Sequence, residues 1–244
     1  MTSRPLRGTH GQVVHELGTR ILSGDLPPGI ILDLPALENE LGISRTVLRE
    51  SLKVLTAKGL IGARQKHGTF VTEPDAWNML DDDVLRWRAG GGTDSTLLQE
   101  LGELRLIIEP AAAALAAERA TESDLAALEA SLDAMEDSSA TGSGHVVDAD
   151  LAFHAALLRA THNDLIASLR SVTEHGLRQR DLLVHADPGA EDPVPSHRAV
   201  FEAVRHRDPE AATTAMRALL DQAARDFQII RPRRDHAADT RRRG

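Results

Sequence analysis

The sequence predicts a mainly α-helical chain in two units: three helices closed by a small β-hairpin, then an all-α antiparallel helical bundle. Three observations predict it. Apolar residues recur at helical spacing through most of the 244 residues. The clearest strand-like pieces lie together, near residues 60–72, around a Lys66-His67-Gly68 turn. Between the two helical regions, residues 73–94 combine Pro74, Trp77, Trp87, three successive Asp at 81–83 and Gly90-Gly91-Gly92, a composition that suits a linker anchored by its two indoles.

The elements follow in order. From His10 to Gly24, Val13, Val14, Leu17, Ile21 and Leu22 form one apolar face, and Gly24 with Pro27-Pro28-Gly29 stops the helix. After the apolar step Ile30-Ile31-Leu32, Pro35 suits a first helical position, and Leu37 and Leu41 share a face before Gly42 ends the run. Ser44 supplies an N-cap hydroxyl for a third helix whose stripe is Leu48, Leu52 and Leu55, ending at Lys58-Gly59. A hairpin with glycine at its tip comes next. The first unit, 1–72, is thus three helices and a wing, with 73–94 as linker. In the second, 95–231, helical periodicity covers about 95–119, 122–137, 145–161, 163–184, 196–206 and 208–230. Pro110 is expected to kink or divide the first of these, because proline removes a backbone donor and clashes with the preceding turn. Segments 138–144 and 186–195 read as loops, and 232–244 as a disordered basic tail.

Composition narrows the function. With no Cys, the chain has no disulfide, thiolate metal site, Fe–S cluster or cysteine nucleophile. Its 41% hydrophobic residues never run for 18 positions without a charge, and MTSRPLRGTHGQ lacks the apolar stretch of a secretory signal, which predicts a cytoplasmic, non-membrane protein. The net charge of −9 hides an asymmetry: residues 1–72 carry 9 Lys+Arg against 6 Asp+Glu, and the remainder 19 against 31. Gly90-Gly91-Gly92 lacks the Lys-Ser/Thr of a P-loop, and neither GxSxG nor HExxH occurs.

The basic front carries the strongest local pattern. Arg45 and Arg49 are four apart near the start of the third helix, opposite its leucine stripe, so both project from one face. Such a helix can enter a major groove, where a guanidinium fork matches guanine O6 and N7. Ser44 and Thr46 add phosphate contacts at the positive helix end. The hairpin, with Arg64, Lys66, His67 and Gly68, can lie along the adjacent backbone or minor groove.

The segment Leu32–Val71, with GISRTVLRESLKVLTAKGLI and RQKHGTFV, resembles the winged helix-turn-helix domain of GntR-type bacterial transcription regulators. The helical remainder, with ELRLIIEPAAAALAAERAT, DLAFH and SHRAVFEAVRHRDPEAATTAMRALL, is similar to the effector-binding bundle of the FCD (FadR-like) subfamily. GARQKHGTF and WNMLDDDVLRW are similar to regulators of galactonate and related sugar-acid operons. One departure is Pro35, where relatives often place a base-contacting arginine.

In the acidic half, Asp150 and His154 are four apart on one helix, so carboxylate and imidazole face a common point. The resemblance adds His197 as a third ligand for a divalent metal such as zinc. It also puts Leu219 where a fourth, histidine, ligand is usual, which leaves three protein ligands and room for water or a bound carboxylate. Alternatively no metal binds, and Asp150, His154 and His197 hydrogen-bond the effector's hydroxyls. His175 is a candidate substitute ligand. Arg105, among Leu104, Leu106, Ile107 and Ile108, sits on a largely buried helix and needs an anion. Glu109, four residues on, is one partner; the resemblance implies that Arg105 also reaches an effector's carboxylate.

These readings predict a cytoplasmic, homodimeric, ligand-responsive transcription regulator and not an enzyme. The expected partners are double-stranded operator DNA and a small carboxylate or sugar-acid effector, with no membrane, and the expected sign is repression relieved by inducer. The rival readings are a metal-dependent helical-bundle hydrolase, which leaves 1–72 unexplained, and a DNA-binding protein whose second half only dimerises.

Overall fold

Two compact units divide the chain at Asp94/Ser95 in the computed structural model, which describes residues 9–64, 68–90, 95–141, 145–174, 178 and 192–242. In the first unit, α1 (Thr9–Leu22), α2 (Leu34–Leu41) and α3 (Arg45–Ala57) are followed by the antiparallel pair β1 (Ile61–Arg64) and β2 (Gly68–Val71). The predicted apolar faces all point inward: Val13, Val14, Leu17 and Ile21 meet Leu37, Leu48, Leu52 and Leu55 in one core.

Local chemistry sets the ends of these helices. Asp33 caps α2, its Oδ1 accepting from Ala36 N at 3.1 Å, and Pro35 sits in the first turn, where the missing N–H costs nothing. Gly42 closes α2 at φ 62°, and Ser44 Oγ accepts from Val47 N at 3.3 Å to start α3. The α2–α3 turn is therefore three residues long. Gly59 follows α3 at φ 81°, where a Cβ would lie 2.1 Å from the Ala76 carbonyl oxygen. This position requires glycine on both counts. Ile30 and Ile31 flank the hairpin as a third, short partner, with Leu32 N donating to Thr69 O at 2.8 Å.

Residues 74–90 are more structured than a linker. A 3-10 turn (Pro74–Ala76) and α4 (Asp82–Gly90) continue the first unit's core, which takes in Val84 and Trp87. Lys58 fixes the start of α4 with ion pairs of 2.7 Å to Asp81 and 2.8 Å to Asp83, and Asp81 caps it by accepting from Val84 N. The Trp87 indole N–H donates to His15 Nδ1 at 2.9 Å, and its ring fills the space left by Gly18. Loop composition suggested a linker, but two tryptophans carry too much apolar area to stay in water when a matching notch lies alongside.

The second unit is a bundle of α5 (Ser95–Arg119), α6 (Glu122–Thr141), α7 (Val146–Ala160), the short α8 (Asp164–Ser168), α9 (Val194–Arg205) and α10 (Pro209–Arg242). Its core joins Leu128, Leu132 and Met135 of α6, Phe153 and Leu157 of α7, Phe201 of α9 and Met216 of α10. Pro110 does not divide α5, which runs through it, and Thr213 Oγ1 donates to the Pro110 carbonyl at 3.3 Å. The helix expected over 163–184 breaks at Leu169 and resumes over 170–174; of the remainder only Arg178, also helical, is among the described residues. The expected loops 138–144 and 186–195 are shortened by α6, which reaches Thr141, and by α9, which starts at Val194. The expected disordered tail 232–244 is helical in backbone to Arg242, in a run that passes through Pro232. Among the described residues no helix is long and apolar enough to cross a membrane.

Gly18 tests the seating of α4. A Cβ there would stand 2.4 Å from Trp87 Cε3, so Gly18→Ala should destabilise the first unit by about 1–3 kcal/mol and shift Trp87 fluorescence. Unchanged urea unfolding and an unchanged emission maximum would show that the ring is not held in that notch.

Candidate functional site: a basic recognition face and a buried charged cluster

On the first unit, Ser44, Arg45, Thr46 and Arg49 are all exposed, while Leu48 between them is buried. The capped start of α3 thus presents both guanidinium groups outward. Arg45, Arg49, Lys53 and Thr56 continue along one face of α3 and, with Glu38 and Thr69, line a groove of about 440 Å³ between that helix, α2 and the hairpin. Lys53, paired with Glu50 at 2.7 Å, was not among the sequence-predicted residues although it lies four beyond Arg49.

Arg64 is exposed at the end of β1 and stacks on Phe70, with its guanidinium carbon 4.7 Å from the ring centroid. Phe70 is opposite Gly62, and a Cβ at Gly62 would lie 2.6 Å from the ring, so the missing side chain is what lets Phe70 lie flat under Arg64. Sequence reasoning gave no role to Gly62 or Phe70; the register of one strand against the other was needed to see it. Gly68 sits at φ 86° opposite Arg64. Lys66 and His67 lie outside the described residues.

In the second unit, three helices bring five ionisable side chains together, each buried: Arg105 and Glu109 from α5, Asp150 and His154 from α7, and His197 from α9. Arg105 Nε donates to Glu109 Oε1 at 2.6 Å and Nη2 to Oε2 at 3.3 Å. The same Nη2 is 2.8 Å from His154 Nε2. A guanidinium only donates, so Nε2 is the acceptor and the proton of neutral His154 belongs on Nδ1, which stands 2.8 Å from Glu109 Oε2. Asp150 Oδ1 lies 2.8 Å from His197 Nε2 and 3.8 Å from His154 Nε2. His197 Nδ1 is 2.7 Å from the Pro193 carbonyl oxygen, one turn back on α9. A carbonyl only accepts, so Nδ1 is the donor there and Nε2 is the nitrogen that faces Asp150.

The approaches of His154 Nδ1 to Glu109 and of His197 Nε2 to Asp150 are short but out of line, and neither nitrogen makes an aligned hydrogen bond among the described residues. Of the two, His197 Nε2 faces Asp150 inside the buried cluster and marks a place arranged for something besides packing. Ligand atoms of Asp150, His154 and His197 all lie within 4.8 Å of one another. Two imidazoles and one carboxylate suit zinc or another divalent transition metal. Glu109 and the Pro193 carbonyl then orient the two rings from behind, as partners of ligating histidines do. The set fits a metal with three protein donors. Leu219 packs in the bundle core with Leu220 and Met216 and adds no donor. His175 lies outside the described residues.

The charges are unevenly stabilised. Burial alone would raise the Glu109 carboxyl, but Arg105 and His154 beside it win and lower it to about 2. Asp150 is likewise held well below the usual carboxylate range against the cost of burial, by the cluster's imidazoles and Arg105. His154 is pushed below its ordinary value by burial, which Glu109 opposes and Arg105 assists. Arg105, charged throughout, is the foremost influence lowering Glu109, whereas at Asp150 the two imidazoles come before it.

Sequence reasoning placed Arg105, Asp150, His154 and His197 as candidates, and the structure brings all four together. It treated Glu109 only as a partner of Arg105 and missed its position beside His154. No local signal reveals that, because the two residues sit on different helices.

Comparison with known proteins bears on both units. Residues 9–71 match the family described as bacterial regulatory proteins, gntR family, and residues 100–222 match the FCD domain. The chain is 36% identical over 228 residues to the galactonate operon transcriptional repressor of Escherichia coli K12, covering 90% of this chain and 96% of that one. Among solved structures it is similar to a Streptococcus agalactiae GntR protein, with 27% identity, TM-score 0.52 and coverage of 88% and 99%. It is also similar to Lar of Listeria monocytogenes, with 19% identity, TM-score 0.63 and coverage of 93% and 100%, a likeness of fold.

Glu109 makes a pH prediction. Its folded value of about 2 lies below its ordinary 4.5, so its contribution is complete above about pH 4.5 and is lost as pH falls toward 2. Integrated over that window it amounts to roughly 3 kcal/mol. The stability gap between wild type and Glu109→Gln in urea should therefore narrow steadily between pH 5 and 2.5; a gap independent of pH would refute the assignment.

Proposed function

The chain belongs to the GntR family of bacterial regulatory proteins, with an FCD domain behind its DNA-binding domain, and from that premise we propose that it is a metabolite-responsive operator-binding repressor. The relatives named above are regulators of transcription, not enzymes, and this chain is a DNA-binding transcription regulator of the same kind. The proposed operator contacts are made by Ser44, Arg45, Thr46 and Arg49 at the head of α3, with Arg64, Lys66, His67 and Gly68 from the wing. Exposure of both arginines on one capped helix start supports this reading. Two copies are needed to present two such helices a turn of DNA apart, so the working form is a homodimer in the cytoplasm.

One observation carries the effector reading: a buried five-residue ionisable cluster inside the bundle. Each charge taken from water costs several kcal/mol, and an apolar core of the same volume is at least as stable. A bundle that only dimerised would have no need of Arg105, Glu109, Asp150, His154 and His197 at its centre, which disfavours the dimerisation-only reading. In this proposal Arg105 receives a carboxylate, and Asp150, His154 and His197 hold a divalent metal or bind the effector's hydroxyls directly. A bound metal would supply a Lewis-acid anchor for the effector's oxygens. The class of effector is a small hydroxylated carboxylic acid, and the relative's name, galactonate repressor, makes sugar acids the first candidates. Binding relieves repression if the effector prefers the form with low operator affinity, since only differential affinity shifts the balance.

Gel shifts on DNA flanking the protein's own gene, with and without sugar acids, test the whole reading: a specific shift released by one acid is expected, and no specific shift at any salt would end it. Arg45→Ala/Arg49→Ala should lose about 1–3 kcal/mol of specific binding per arginine with little change in melting temperature. Preserved operator preference would mean another surface reads the bases. A true effector at 100 times its Kd should stabilise the protein by about 2.7 kcal/mol, and none of the tested acids doing so would remove the sugar-acid class. Elemental analysis of untagged protein separates the two versions of the site, with about one equivalent of a transition metal expected for the first.

A further inference from the structure

Arg105 Nη2 and a divalent cation would claim the same electron pair. His154 offers one lone pair at Nε2, because its Nδ1 is turned toward Glu109. That lone pair accepts from Arg105 at 2.8 Å. An imidazole nitrogen cannot accept an N–H and ligate a metal at once. The same nitrogen is 3.8 Å from Asp150 Oδ1, on the side where the third candidate ligand, His197, also approaches.

We propose that Arg105 is a built-in competitor for the cation site: its guanidinium occupies the His154 Nε2 lone pair until a divalent cation takes it, and the displaced Nη2 then receives the effector's carboxylate. This rests on the metal-holding version of the reading above. Glu109 makes the exchange local. Arg105 Nε stays on Glu109 Oε1 at 2.6 Å, so the guanidinium can turn away from His154 without leaving its counter-ion. Glu109 Oε2 meanwhile remains beside His154 Nδ1, keeping the imidazole oriented for the cation. A cation seated on Asp150, His154 and His197 also repels the guanidinium. An arriving carboxylate offsets that repulsion and gives Nη2 a new acceptor.

The consequence is positive coupling between cation and anion. The cation prepares Arg105 for the carboxylate, and by reciprocity the carboxylate tightens the cation by the same factor. Glu109 is thereby a positioning residue for two partners, and Arg105 sets how much cation is needed before the effector is read.

The test is Zn²⁺ affinity of the full-length chain, measured by competition with a chromophoric chelator for wild type, Arg105→Lys, Arg105→Gln and His154→Ala, with circular dichroism confirming the fold of each. Lysine keeps the charge but cannot hold Glu109 and His154 together, so Arg105→Lys should bind Zn²⁺ at least tenfold more tightly than wild type, and His154→Ala more weakly. If Arg105→Gln tightens and Arg105→Lys does not, charge repulsion alone is at work and the proposal is overturned. If His154→Ala weakens Zn²⁺ while both Arg105 variants match wild type, the competition falls and the metal site stands. If all four chains bind alike, both fall together. Wild-type protein supplies a readout that needs no variant: guanidinium N–H protons protected from exchange without metal should lose protection on one equivalent of Zn²⁺, and protection that persists would overturn the proposal.

Discussion

A guanidinium inside a helical bundle must have an anion beside it, and here that requirement organises the whole centre of the second unit. Arg105 and Glu109, one turn apart on α5, form an ion pair in which both side chains are almost fully buried. Glu109 faces His154 as well, and His154 leads to Asp150 and His197. The cluster is therefore a chain of contacts across three helices. Removing either end of the Arg105–Glu109 pair would strand a buried charge, at a cost of about 3–5 kcal/mol. Such a centre stabilises the bundle poorly compared with leucine, yet it holds donors, acceptors and charge in fixed positions for a polar ligand.

The first unit is arranged around the opposite need, to keep charge exposed and in register. Leu48, Leu52 and Leu55 seat α3, and that seating points Arg45 and Arg49 outward from the same helix. Ser44 and Gly42 fix where the helix begins, which sets which residues occupy its head. Gly62 and Phe70 do the equivalent for the wing by giving Arg64 an aromatic face to rest on. Pro35, which stands where relatives often carry an arginine, is accounted for as an entry to α2 beside the Asp33 cap.

Residues 74–90 show how composition can mislead. Proline, clustered aspartates and a glycine run suggest a spacer, and the two indoles suggest an anchor; the anchor dominates. Lys58 neutralises Asp81 and Asp83, and Trp87 enters the core against Gly18. The boundary of the first compact unit accordingly lies near Asp94, well past the hairpin. Any signal between the units has to act on a DNA-binding unit that includes α4.

His197 came only through the family resemblance, whereas the sequence by itself determined α1 to α3, the hairpin and its glycine, the exposed pair on α3, and Arg105 with its partner Glu109, Asp150 and His154. Those features are local: spacing of 3.6 or 2 residues, a cap, a turn residue, or two side chains four apart on one helix. Tertiary structure alone decided the rest. That Glu109 serves both Arg105 and His154, that His197 approaches Asp150, that Phe70 carries Arg64 across Gly62 and that Trp87 finds Gly18 are contacts between segments far apart in the chain. Their existence depends on how helices pack and how strands register, and no periodicity along one segment encodes the position of another.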